Sequence, residues 1–214
     1  MSLITEPYLI QLARWPQAGQ HILAQYDKES VIVYQAYNPA VGHFAAKHGY
    51  FGGEFSLSRM SWIKPGFLWM MYRSGWATKP EQEVVLAVRL KRAAFDEILS
   101  HAVHSTYIEE TYGTMDTWQG LVKSSSIILQ WDPDHDPSGA RVERRVVQLG
   151  LRSSILAHYA HDWILEIEDI TSFVHQQYLR ARTQDLDRLV TPREAVYPVA
   201  DLQIAMRLGM NSLE

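Results

Sequence analysis

The chain has 214 residues, a formal net charge of −4 and no cysteine. That length accommodates one buried core and falls short of two full domains, so a single domain over residues 1–214 is expected. The charge excludes a global positive field toward nucleic acid or anionic membrane, and the missing thiols exclude disulfides, thiolate metal sites and a cysteine nucleophile. The opening MSLITEPYLIQLARWP lacks the basic start and apolar stretch of a secretory signal, and no run approaches the roughly 18 apolar residues of a membrane span. A cytoplasmic location without membrane contact is the expectation.

In chain order, Ser30 to Tyr37 (SVIVYQAY) reads as a β-branched and aromatic strand, and Asn38-Pro39 after it opens a helix with Val41, Phe44, Ala45 and His48 on one face. Gly49 ends that helix, and Gly52-Gly53 lead into an extended passage through Arg59 to Trp76, closed by Lys79-Pro80. Val84 to Leu90 is a second strand, followed by Phe95, Ile98, Leu99, Ala102 and Val103 at helical spacing. Ile127 to Trp131 and Val142 to Leu149 flank the loop DPDHDPSGA as a hairpin expected to join the same sheet. Ser153 to Trp163 and Asp169 to Arg182 read as helices, and the rest is irregular until Val199 to Leu208. The class is α+β, a single compact domain of mixed or antiparallel sheets with flanking helices.

The densest chemistry is RMSWIKPGFLWMMYRSGW, where Arg59, Lys64 and Arg73 alternate with Trp62, Phe67, Trp69, Tyr72 and Trp76. Cations among stackable rings suit a nucleotide, the charges taking phosphate and the rings a base. A core segment whose cations snorkel to the surface gives the same composition, but Pro65-Gly66 in mid-run points to a shaped backbone that plain packing does not need. Glu83, at the start of a strand, can serve as a base or orient a ribose hydroxyl, or be a solvated strand entry. Arg145 and Gln148 on the later strand are further substrate-binding candidates; strand alternation sends Arg144, Val146 and Gln148 to one face and Arg145 with Val147 to the other. Convergence of Lys64, Arg73 and Arg145 is the geometric test of this site.

Other patterns carry less. Asp132, Asp134, Asp136 and Glu143 match acidic positions of a calcium-loop template, but Pro137 stands where it needs glycine and the flanks read as strands, so an EF-hand is rejected and a looser cation site through these aspartates is the minor alternative. His101 with His104, and His158 with His161, are spaced to share helix faces, yet neither pair has a third ligand nearby in sequence, and no metal is assigned. No GxGxxG, Walker loop, GxSxG elbow or HExxH is present.

The blocks HILAQYD, VYQAY, RMSWIKPGFLWMMYRSGW, QEVVLAV, LQWDPDH and RRVVQLGLRS, spread from about His21 to Pro198, resemble the family described as domain of unknown function 4291, found in bacteria and fungi. The order strand, helix, glycine, extended aromatic passage, strand is also similar to the NAD-binding half of ADP-ribosyltransferase-like folds. That second resemblance implies NAD held between two small sheets, with Tyr72 stacking on the nicotinamide and Glu83 orienting the ribose. The first-strand His or Arg of such enzymes is absent from SVIVYQAY, leaving Gln35 or Tyr34 for its role. The combined expectation is a nucleotide-handling enzyme, ADP-ribosyltransferase-like in outline, with Glu83, Arg73 and Gln35 as catalytic residues. Arg59, Trp62, Lys64, Trp69, Tyr72, Arg145 and Gln148 would bind a substrate such as NAD or a phosphorylated RNA end. The alternatives are a non-enzymatic module binding single-stranded RNA or DNA on the surface 59–76, and a scaffold presenting its rings to a protein partner.

Overall fold

The computed structural model describes residues 3–211. Strand β1 (Thr5–Pro7) runs into helix α1 (Tyr8–Leu12), and β2 (Gly19–Gln20) and β3 (Leu23–Ala24) precede β4 (Ser30–Tyr37) and α2 (Pro39–His48). Next come β5 (Ser61–Ile63), α3 (Phe67–Ser74), β6 (Val84–Lys91), α4 (Arg92–His101), β7 (Val103–His104), α5 (Glu109–Tyr112) and α6 (Met115–Ser124). The hairpin β8 (Ile127–His135) and β9 (Arg141–Leu151) is followed by α7 (Ser153–His161), β10 (Ile164–Asp169) and α8 (Thr171–Arg182). Strands β11 (Val190–Pro192) and β12 (Ala195–Val196) and helix α9 (Leu202–Arg207) complete the α+β fold. No helix among the described residues is long and apolar enough to cross a membrane.

Two sheets organise the molecule. In the first, β6 lies between β4 and β10 with every pair antiparallel; in the second, β9 carries β8 antiparallel along one edge, with β2 and β5 along the other, and β7 extends the β8 side in parallel. The hairpin therefore builds a sheet of its own rather than extending that of β4 and β6. The link is one bridge: Tyr34 N donates to Lys64 O at 2.7 Å and Lys64 N donates to Tyr34 O at 3.2 Å. Pleating makes β4 serve two cores. Val31 and Val33 face a cluster with Leu86, Val88, Leu129, Val147, Leu149 and Tyr159, whereas Ile32 and Tyr34 face Phe67, Met70, Met71, Val85 and Val174.

The passage 59–76 is not extended throughout. Its second half is α3, buried through Phe67, Leu68, Trp69, Met70 and Met71, and the repeat of large apolar side chains satisfies a helix packed between β4 and β8. Gly75 at φ 58° closes the helix in the left-handed conformation that glycine tolerates. With a helix in this place, the element order that resembled an ADP-ribosyltransferase half is not the observed one. Helix α2 follows its sequence signals: Asn38 Oδ1 accepts from Val41 N at 3.0 Å, Pro39 occupies the first turn and Gly49 ends it at φ 76°.

The hairpin strands run further than their apolar segments. Residues 132–135 continue β8, with Pro133 opposite Arg145 and His135 opposite Arg141, because the turn is closed locally: Asp136 Oδ1 accepts from Ser138 N and Ala140 N. Strands thus flank the acidic loop, as the rejection of an EF-hand requires, and its aspartates point to separate partners. Helix α4 ends at His101, so His104 sits on β7 and the two do not share a helix face.

Candidate functional site

Strand β5 sets the site. Trp62 pairs with Gly150 and Ile63 with Leu149, so alternation puts Trp62 and Lys64 on the same face of the sheet as Gly150 and Gln148. Across β9, Gln148 faces Gln130 and Val146 faces Asp132, which adds both β8 side chains to that face. The result is a polar patch on a sheet whose opposite side, through Leu129, Val147 and Leu149, is core.

Asp132 is held from two directions. Gln130 Nε2 donates to its Oδ1 and Gln148 Nε2 to its Oδ2, each at 2.8 Å. Both amide donors are committed to one carboxylate, which fixes the glutamine side chains.

Lys64 lies against this patch with 7% of its surface exposed. Its Nζ donates to Trp62 O at 3.4 Å, near the limit of a hydrogen bond, and no ion pair among the described residues holds it. Burial, with the Arg73 guanidinium adding to it and Asp132 opposing, pushes the ammonium down to about 7. This brings the neutral amine within reach near neutral pH.

Helix α3 supplies the flank. Arg73 is exposed, its guanidinium carbon lies 5.9 Å from the Trp69 ring centre, and among the described residues the guanidinium has no carboxylate partner. Trp69, 4% exposed, and Tyr72, 39% exposed, stack with His135 of β8, the Tyr72 and His135 ring centres being 3.5 Å apart. Burial holds the His135 imidazolium below its usual range, and among the described residues both His135 Nδ1 and Trp69 Nε1 are buried without a hydrogen-bond partner. Tyr72 also lines a separate cavity of about 520 Å³ with Trp76, Lys79 and Tyr178.

The turn between Lys64 and α3 is anchored from below. Glu194, between β11 and β12, is buried, and its Oε1 accepts from Phe67 N at 2.7 Å, supplying the cap that Gly66 has no side chain to make. Burial pushes its carboxyl up to about 8, the Phe67 N–H and Arg144 opposing and Asp134 reinforcing. Nearby, Arg144 Nε donates to Asp134 Oδ2 at 2.9 Å and Nη1 to Pro16 O at 2.7 Å, with the Trp15 ring 5.2 Å from its Cζ. Trp15 and Glu194 also line a cavity of about 600 Å³ with Arg14, Tyr26 and Arg193.

Of the residues proposed from sequence, Trp62, Lys64, Trp69, Arg73 and Gln148 come together, with Tyr72 alongside. Four do not. Gln35 is a core residue whose amide donates to Tyr37, Ser61 and Trp62 O while its oxygen accepts from Tyr159, which leaves nothing free for a substrate. Arg59 is exposed on the loop before β5, on the Tyr37 side. Glu83 belongs to the turn before β6, where Oε1 accepts from Glu81 N. Arg145 projects from the other face of β9 and donates to Trp131 O. Lys64, Arg73 and Arg145 therefore do not converge, so the three-cation site expected from the sequence fails its geometric test, and only Lys64 and Arg73 lie near each other. Gln130, Asp132, His135 and Glu194 were not singled out as site residues. Period-two reading carried through residue 135 would have found the first two; Glu194 lies in an irregular stretch with no local signal.

A search of curated proteins finds no match to the chain. A family model does match, over residues 21–197, and the chain belongs to that family, described as Domain of unknown function (DUF4291).

Proposed function

We propose that the face formed by Trp62, Lys64, Gln130, Asp132, Gln148 and Arg73 binds the phosphates of a nucleotide. The observation that carries this reading is an uncompensated charge: two cations, Lys64 and Arg73, influence each other beside one carboxylate, Asp132, whose oxygens are already taken by Gln130 and Gln148. An exposed guanidinium without a carboxylate partner, next to a buried amine, suits a polyanion and its two-oxygen geometry. Half-buried Trp62 offers a ring face at the edge of the same patch.

Burial of Phe67, Trp69 and Trp76 removes most of the rings on which an extended strand would stack, which favours a compact nucleotide over single-stranded RNA or DNA. The acid whose field reaches Lys64 is Asp132 rather than Glu83, which favours a phosphorylated nucleotide over an ADP-ribosyltransferase use of NAD. Titration calorimetry with ATP, GTP, NAD, ADP-ribose and a 5′-phosphorylated RNA tests the reading. Heat is expected with at least one nucleotide, reduced at least tenfold in affinity by Arg73→Met. No heat from any of them at millimolar concentration rejects it.

A further inference from the structure

A lysine that only gripped phosphate would be expected as an exposed ammonium with several acceptors. Lys64 is the reverse: it is buried, its one hydrogen bond is long, and its backbone is clamped on both sides, by Tyr34 across the bridge and by Pro65-Gly66 leading into the helix that Glu194 caps. The stem of the side chain is therefore fixed, and one long hydrogen bond to Trp62 O is the amine's recorded bond among the described residues, which leaves it available as a nucleophile. An adjacent exposed cation, Arg73, selects an anionic electrophile over a neutral carbonyl compound.

We propose, on the basis of the nucleotide-binding reading above, that Lys64 Nζ attacks the α-phosphorus of a nucleoside triphosphate, supplied as its magnesium complex, and forms a covalent lysyl-nucleotide. The N–P bond forms as the bond from the α-phosphorus to the bridging oxygen breaks, and pyrophosphate leaves with that electron pair. The attacking amine sheds one proton to solvent past the Asp132 carboxylate, so the products are a phosphoramidate, pyrophosphate and a proton. Arg73 stabilises the charge that builds on the departing phosphates. The displacement of the Lys64 ammonium toward neutral pH agrees with this role, since the free amine is the attacking form.

The test incubates the full chain and magnesium with each of the four ribonucleoside triphosphates, labelled in turn at the α- or the γ-phosphate, followed by denaturation. Label from the α position alone is expected on the protein, lost in acid and retained in base, with the mass of one nucleotidyl group on the peptide containing Lys64. The yield should rise through about pH 7 and then level off. Lys64→Met and Lys64→Arg should lose the label at least a hundredfold while retaining the native circular dichroism spectrum. Calorimetric binding without α-label, label from the γ position, or a modified peptide lacking Lys64 each overturn the inference and leave the binding reading standing. Absence of both binding and label rejects the two together.

Discussion

Glu194 caps the helix that starts three residues after Lys64: its Oε1 accepts the Phe67 N–H at 2.7 Å although 127 residues separate the two in sequence. The carboxyl is buried, and its pKa is pushed up to about 8 from the ordinary 4.5. The folded chain therefore keeps a proton between pH 4.5 and 8 that the unfolded chain has released, and stability from this group falls as pH rises through that window.

Glu194→Gln keeps an acceptor for Phe67 N and removes the titration. It should match the wild type near pH 4.5 and exceed it by an amount on the order of a few kcal/mol at pH 9, measured as urea midpoints across the range. Glu194→Ala, which loses the cap as well, should be less stable than the glutamine variant by about 1 kcal/mol or more at every pH. An unchanged pH profile in the glutamine variant would exclude Glu194 as the titrating group.

Lys64 gives a trend of opposite sign. Its pKa is shifted down from 10.5 to about 7, so between those values the unfolded chain holds a proton the folded chain has lost, and stability rises with pH. Lys64→Met should stabilise most at pH 7 and below, with the gain fading toward pH 10.5. An equal gain at all pH values would show that volume rather than charge sets the effect.

These two residues also mark the limit of what the sequence discloses. Strands β4 and β6 are legible as short β-branched runs, helix α2 because its caps Asn38 and Gly49 are local, and helix α8 because Ile170, Val174 and Ala181 recur near helical spacing. The patch is half legible. Lys64, Trp62, Trp69 and Arg73 sit close together in one run, but the partner strands come from residues 127–151, and which face Arg145 takes depends on a register that long-range pairing sets. Treating α3 as extended has a local origin: Phe67 to Met71 is an unbroken run of large apolar residues only five long, which reads equally as a buried strand, and the polar side of the helix is confined to its last turn at Tyr72 and Arg73. Glu194 is invisible to any local reading, since its role exists only once Phe67 is beside it.

The buried pair of Asp134 and Arg144 should behave as a unit. Asp134→Leu leaves the Arg144 guanidinium buried against Trp15 with Pro16 O as its remaining acceptor, and should cost about 3–5 kcal/mol. The double variant Asp134→Leu, Arg144→Met should recover most of that loss. A thermodynamic cycle built from chemical denaturation measures the coupling, and additivity of the single effects would show that the pair contributes nothing beyond its parts.

Gly150 ties the integrity of the fold to the proposed ligand face at a single methyl group. A Cβ built there comes within 2.5 Å of Met60 Sδ and 3.1 Å of Trp62 Cε2, both on the patch side of the sheet. The thioether of Met60 is at the end of a flexible chain and can move aside, whereas the indole of Trp62 is rigid and must tilt as a whole. Gly150→Ala should therefore leave the core between β4 and β9 intact, with thermal unfolding shifted by only a few degrees. Nucleotide affinity should nevertheless drop about tenfold, equivalent to roughly 1.4 kcal/mol. Calorimetric titration of the variant beside its melting curve separates the two effects. Wild-type affinity in a variant whose Trp62 fluorescence has shifted would remove that ring from the binding face and leave Lys64 and Arg73 to carry recognition alone.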